Sequence, residues 1–196
     1  METNTFVIGI TGGTGCGKTT LLNCIREKGG MILDCDAIYH RLLTEDPALP
    51  AAIEARFPGV VENGVLQRKK LGQIVFGDEK ALHDLNQITH AAVKAEVLRL
   101  LETAGDLAAI DAIGLFEGDL AHLCDVTVAV TAPVEDRVAR LMARDGISEE
   151  YARSRIAAQR SNGEFSALCN HTLVNDGKIC AFRAKCLAFL AEFGIM

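Results

Sequence analysis

Eight residues, Gly12-Gly13-Thr14-Gly15-Cys16-Gly17-Lys18-Thr19, fit the pattern G-x-x-x-x-G-K-[ST] in full. That pattern serves to hold a polyphosphate. Its glycines let successive backbone N–H groups turn inward around a phosphate, and the start of a helix beside them adds partial positive charge. Lys18 would reach the β and γ oxygens, and the Thr19 hydroxyl would bind magnesium. The pattern carries weight only between a strand and a helix. Phe6 to Ile10 is a short apolar, β-branched run suited to a strand buried on both faces. A helix is predicted from Lys18, with Leu21, Leu22 and Ile25 at helical spacing and Lys28-Gly29-Gly30 as its stop.

Carboxylates form the second candidate set. Asp34 and Asp36 follow a second predicted strand, Met31 to Leu33, and two residues apart on an extended segment they share a face. Placed at the ligand end of a sheet, such a pair can accept a proton from an attacking hydroxyl and hold a metal. A turn-forming or capping pair is the other reading. Asp111 ends a further predicted strand, Leu107 to Ile110, and the run Ala112 to Glu117 after it would present a metal-side carboxylate and an acidic residue to a substrate. Asp111-x-x-Gly114 also mimics the D-x-x-G of GTPases, but no N-K-x-D follows, which sets a guanine-nucleotide switch aside. His90 reads by periodicity as a structural histidine.

These residues need a scaffold that brings strand ends together. With Val126 to Val130 as another predicted strand, strands alternate with helices, which implies a parallel sheet, right-handed crossovers and ligands at the carboxyl ends of the strands. The expected fold is α/β, a three-layer P-loop NTPase-type domain over 1–196 with a mostly parallel sheet. About seventy residues before Asp106 are mainly helical by pattern and broken by Pro47, Pro50, Pro58 and Asn63-Gly64, too long for a plain crossover. They predict an inserted helical substrate lobe at about 37–106. Arg137, Arg140, Arg144, Arg153 and Arg155 recur around Gly146-Ile147-Ser148 and predict an arginine-bearing helical lid at about 137–160; a solvated charged face is the alternative. Ala181 to Phe193 is a closing helix with a packing role.

Composition bounds the rest. The 196 residues, 49% hydrophobic and 23% charged, describe one ordinary globular domain. A formal net charge of -6 argues against a nucleic-acid-binding face, so local cations and backbone N–H groups must hold any anion. Neither a cationic leader with an apolar core nor an eighteen-residue apolar run is present, so a cytoplasmic protein without a membrane partner is expected, as a monomer or weak homo-oligomer. Seven cysteines without a C-x-x-C pair signal neither a disulfide framework nor a zinc ribbon. Cys16 alone stands out, since a position near a helix start would make its thiol reactive.

The loop, the Asp34-Cys35-Asp36 strand end, Leu66 to Phe76, Leu85 to His90, the D-x-x-x-L-F-E run from Asp111 to Glu117, Arg140 to Asp145 and Val174-Asn175-Asp176-Gly177 together resemble the dephospho-CoA kinase family. The resemblance implies transfer of the γ-phosphoryl group of ATP, with Mg2+, to the ribose 3′-hydroxyl of dephospho-CoA, the last step of coenzyme A synthesis. It implies Asp36 as base, with Lys18 and Arg144 as the other catalytic groups. Gly13, Thr14, Gly15, Cys16, Gly17, Lys18, Thr19 and Thr20 would bind the ATP phosphates, and Arg140 and Asn175 would lie toward adenine. Asp36, His90, Asp111, Leu115 and Glu117 would line the acceptor side. Departures from the family pattern fall at Gln67, Ala91, Ile113, Gly114, Phe165 and Asn170. A nucleoside or nucleoside-monophosphate kinase is the alternative, against which the long helical insertion argues. A bare nucleotide-sensing module has no need of a hydroxyl-activating aspartate.

Overall fold

The apolar run at the start of the chain forms the middle strand of a five-stranded sheet. In the computed structural model, which describes residues 5–196, β1 is Phe6–Thr11 and is followed by α1 (Lys18–Glu27) and β2 (Met31–Asp34). Next come α2 (Cys35–Glu45), α3 (Ala48–Arg56), β3 (Val61–Glu62), β4 (Val65–Leu66), α4 (Arg68–Val75) and α5 (Glu79–Leu101). The remainder is β5 (Leu107–Asp111), β6 (Val126–Thr131), α6 (Val134–Asp145), α7 (Glu149–Ala157), α8 (Asn162–Leu168), β7 (His171–Val174) and α9 (Ile179–Glu192).

The sheet order is β2-β5-β1-β6-β7. β1 pairs in parallel with β5 (Phe6 with Leu107) and with β6 (Ile8 with Val126), and β6 pairs in parallel with β7 (Val128 with His171). Alternation along β1 serves two layers. Ile8 and Ile10 pack with Leu21 and Ile25 of α1 and with Phe182, Phe189 and Leu190 of α9. On the opposite face Gly9 lies against Leu115 and Cys124, too close for any side chain larger than hydrogen. Apolar residues on both faces are what a strand covered by two layers requires. The expected strands are present, and each runs one residue further to a polar end: Thr11, Asp34, Asp111 and Thr131. β7 was not expected. At the sheet edge its residues alternate between half-buried and exposed, so His171-Thr172-Leu173-Val174 carries no apolar run.

The chain divides into two compact units. The first contains the sheet: the chain up to Leu33, Ala104–Phe116 and Leu120–Met196. Within it α6 and α7 form a hairpin that breaks at Gly146 (φ 65°) and closes over Val138, Leu141, Ala152 and Ile156. The second, Asp34–Thr103 with Glu117–Asp119, is helical apart from a β3–β4 hairpin whose turn is Asn63-Gly64, both at positive φ. An Asn-Gly pair is what such a two-residue turn demands. The long α5 is the spine of this unit and carries Glu96, which bonds Arg99 (2.7 Å) and Arg41 of α2 (2.6 Å). Those two guanidiniums, Arg99 foremost, hold the Glu96 carboxyl down to about 2. Lys94 of α5 pairs with Asp119 at 2.7 Å and fastens the short return segment. Among the described residues no helix is long and apolar enough to cross a membrane.

Candidate active site

The phosphate loop fills the gap between β1 and α1, and two of its glycines combine a positive φ with no room for a side chain. Gly12 adopts φ 139°, and a methyl there would strike the Val130 carbonyl. Gly17 adopts φ 99°, and a methyl there would strike the Asn175 carboxamide. Both conformations belong to glycine. Gly17 is also the N-terminal cap of α1 and offers no side-chain acceptor, which leaves the helix start to a ligand. Lys18 bends back over the loop: its Nζ donates to the Gly12 carbonyl (3.1 Å) and lies 3.7 Å from Asp111 Oδ1 at the end of β5. Thr19 is exposed on the first helical turn and Thr20 half-buried beside it.

Three side chains from the rest of the unit fasten the loop carbonyls. Arg140 Nη1 donates to Gly15 O (3.1 Å) and Cys16 O (3.4 Å), and Asn175 Nδ2 donates to Cys16 O (2.9 Å). The Arg137 Nε donates to Thr14 O at 2.8 Å. With its carbonyls tied from outside, the loop can turn N–H groups other than that of Thr14 toward an anion. Asn175 is 6% exposed, its own N–H bonds Thr131 O, and its amide holds the loop. Arg137 was grouped with the lid arginines, yet it is 1% exposed. The sequence signal was its spacing: it precedes the buried Leu141 by four and adjoins Val138, which puts it on the core stripe of α6. Gln159, whose Oε1 accepts from the Thr14 N–H at 2.8 Å, carried no sequence signal.

Arg144 forms a two-pronged pair with Asp145 (2.6 and 3.0 Å), which also accepts from Arg155. Those two arginines hold the Asp145 carboxyl down to about 2. Arg153 is likewise engaged by Glu135 and Glu149. Leu115 is fully buried against Gly9, and its carbonyl accepts from Leu120 and Ala121, so its side chain packs in the core. The strand rule fails at Asp34 and Asp36, because β2 stops at Asp34. Asp34 caps α2, accepting from the Ala37 N–H at 3.0 Å, while Asp36 is exposed on the first helical turn. The second unit thus holds Asp36, exposed Glu117 and half-buried His90, and the first holds the loop, Lys18, Asp111, Arg140 and Asn175.

Cys16 is 1% exposed, and burial raises its thiol pKa despite the opposing pull of Lys18. A buried, neutral thiol is a poor nucleophile. Iodoacetamide at pH 8 is therefore expected to modify exposed Cys180 first and Cys16 only after unfolding, as read by peptide mass spectrometry. Native labelling of Cys16 at the rate of Cys180 would refute the inert assignment.

A family model described as dephospho-CoA kinase matches residues 6–181. The chain belongs to the dephospho-CoA kinase family. The dephospho-CoA kinase of Deinococcus radiodurans is 37% identical over 192 residues, covering 96% of this chain and 92% of its own. That of Carboxydothermus hydrogenoformans is 36% identical over 193 residues, covering 95% and 94%. A crystal structure from Thermus thermophilus, 32% identical, matches with a TM-score of 0.80 across 96% of this chain and 97% of its own. With its sheet order and its loop after the central strand, this member of the dephospho-CoA kinase family is an ATP-using phosphotransferase of the P-loop fold.

Proposed function

We propose that this chain transfers the γ-phosphoryl group of ATP to the ribose 3′-hydroxyl of dephospho-CoA. The observation that carries the reading is the bent-back Lys18, held between the Gly12 carbonyl and Asp111 at the mouth of a loop whose carbonyls are tied outward. Phosphoryl transfer demands positioning and charge stabilisation more than covalent chemistry, and a fixed cation in a nest of N–H groups supplies both. The Thr19 hydroxyl and Asp111 carboxylate are hard oxygen donors, which fit Mg2+ bound mainly through nucleotide phosphates and water. Among the described residues no group of three or more His, Cys, Asp or Glu side chains forms a protein cage for a metal. When bound, magnesium would neutralise charge on the β and γ oxygens.

Asp36 would accept the proton of the attacking hydroxyl; His90, from an inserted substrate lobe at about 37–106, and Glu117, after β5, would contact the acceptor. Within Gly13 to Thr20, backbone N–H groups other than that of Thr14 would hold the phosphates, with the Thr19 and Thr20 hydroxyls beside them. Arg140 would face the nucleotide beside the loop. Arg144 would exchange Asp145 for nucleotide as the lid at about 137–160 orders. The protein would act in the cytoplasm as a monomer or weak homo-oligomer, without nucleic acid or membrane.

Purified protein given ATP, magnesium and one of dephospho-CoA, adenosine, cytidine or AMP is expected to release ADP chiefly with dephospho-CoA. Dominant release with AMP or a nucleoside would move the chain to the alternative acceptor class. Nucleotide binding without acceptor-dependent release would reduce it to a sensing module.

A further inference from the structure

Thr14, in the middle of the phosphate loop, is gripped at both of its backbone polar groups. Its carbonyl accepts from Arg137 Nε at 2.8 Å, and its N–H donates to Gln159 Oε1 at 2.8 Å. The two gripping side chains also bond each other, Arg137 Nη2 donating to Gln159 Oε1 at 3.2 Å. A methyl on Gly13 would strike the guanidinium, so loop and clamp are fitted without slack. Among the described residues the hydrogen-bond partners of Arg137 are all neutral, the third being Asn162 Oδ1 at 3.5 Å.

We propose that Arg137 and Gln159 are positioning residues acting as one clamp: they set the shape of the phosphate loop and thereby its affinity for a nucleoside triphosphate, without touching the phosphates. The inference rests on the reading that Gly13 to Thr20 hold ATP. A guanidinium buried with only neutral acceptors keeps its positive field, and that field falls on the loop it holds. Removing Gln159 leaves the Thr14 N–H and Arg137 Nη2 without their shared acceptor. Removing Arg137 frees Gln159 to swing away from Thr14. Either loss therefore releases the same segment, and the second loss has little left to release. The clamp draws one side chain from α6 and the other from just beyond α7, so both ends of the arginine-rich hairpin are keyed to the loop.

The test compares Arg137→Met, Gln159→Met, the double variant and Arg137→Lys for ATP Kd by calorimetry, kcat, KM for dephospho-CoA, and melting temperature with and without ATP. Each single replacement by Met is expected to raise the ATP Kd about tenfold with the acceptor KM within about twofold, and the double variant to be no weaker than the worse single. The stabilisation produced by saturating ATP should shrink in step. Arg137→Lys, which keeps the charge and loses the fork, should fall between wild type and Arg137→Met, and it stands in where Met prevents folding. A lowered melting temperature with unchanged ATP Kd, or a double variant whose loss is the product of the singles, would overturn the clamp. Lys18→Ala runs beside them. If it too leaves ATP affinity and turnover intact, the phosphate-loop reading fails; if it alone is impaired, only the clamp fails.

Discussion

Lys18→Ala is expected to lower kcat about a hundredfold to a thousandfold while the far-UV circular dichroism spectrum stays that of the wild type. Lys18 is the cation that the loop aims at its own ligand: the Gly12 carbonyl and Asp111 hold its ammonium in place before any nucleotide arrives. A charge fixed in advance costs no reorganisation when phosphate charge shifts in the transition state, and a site with little water raises its worth. Alanine leaves no substitute there, since Arg137 and Arg140 are committed to loop carbonyls. The fold survives because the strand and helix on either side are held by the apolar core of β1, α1 and α9. Steady-state kinetics at saturating ATP decide the matter, and activity within threefold of wild type would withdraw the assignment of the loop.

The second large effect is expected at Asp36. Asp36→Asn should lose about a hundredfold to ten-thousandfold in kcat while ATP affinity barely changes, because the amide keeps the shape and removes the proton acceptor. Asp34→Asn should cost far less in kcat. Asp34 Oδ1 is spent on the Ala37 N–H as the cap of α2, and an asparagine oxygen caps a helix about as well as an aspartate oxygen. Asp36 is exposed one residue into the same helix, with its carboxylate outside the capping bond. Parallel measurement of kcat and ATP Kd on the two variants separates the roles. A larger kcat loss at Asp34, or an unimpaired Asp36→Asn enzyme, defeats the choice of Asp36.

Much of the fold was legible because its parallel strands are covered on both faces, so β1, β5 and β6 are written as largely apolar runs. β7 escaped because an edge strand has no need of such a run. The loop was legible for a different reason: backbone N–H groups that face a phosphate impose glycine and lysine at fixed positions, and few other structures ask for that spacing. What supports the loop was illegible. Arg137 and Gln159 act through hydrogen bonds to the backbone of Thr14, and their separation in sequence reflects the path of the α6–α7 hairpin rather than a repeat. Periodicity shows which face of a helix is apolar but not that a guanidinium has been drawn into it. Leu115 and Cys16 failed in the opposite way, since nearness in sequence to a motif does not decide whether a side chain turns toward the ligand or into the core.

The central place of β1 has a consequence for synthesis on the ribosome. This strand emerges first, yet its neighbours are Leu107–Asp111, about a hundred residues later, and Val126–Thr131 beyond. The nascent chain must carry Phe6–Thr11, an apolar segment, unpaired through that interval, while α2 to α5 form contacts within the continuous run Asp34–Thr103. At translation speeds of about 5–20 residues per second the exposure lasts about 5–20 s. The segment most in need of shielding at birth is thus the one that ends at the phosphate loop.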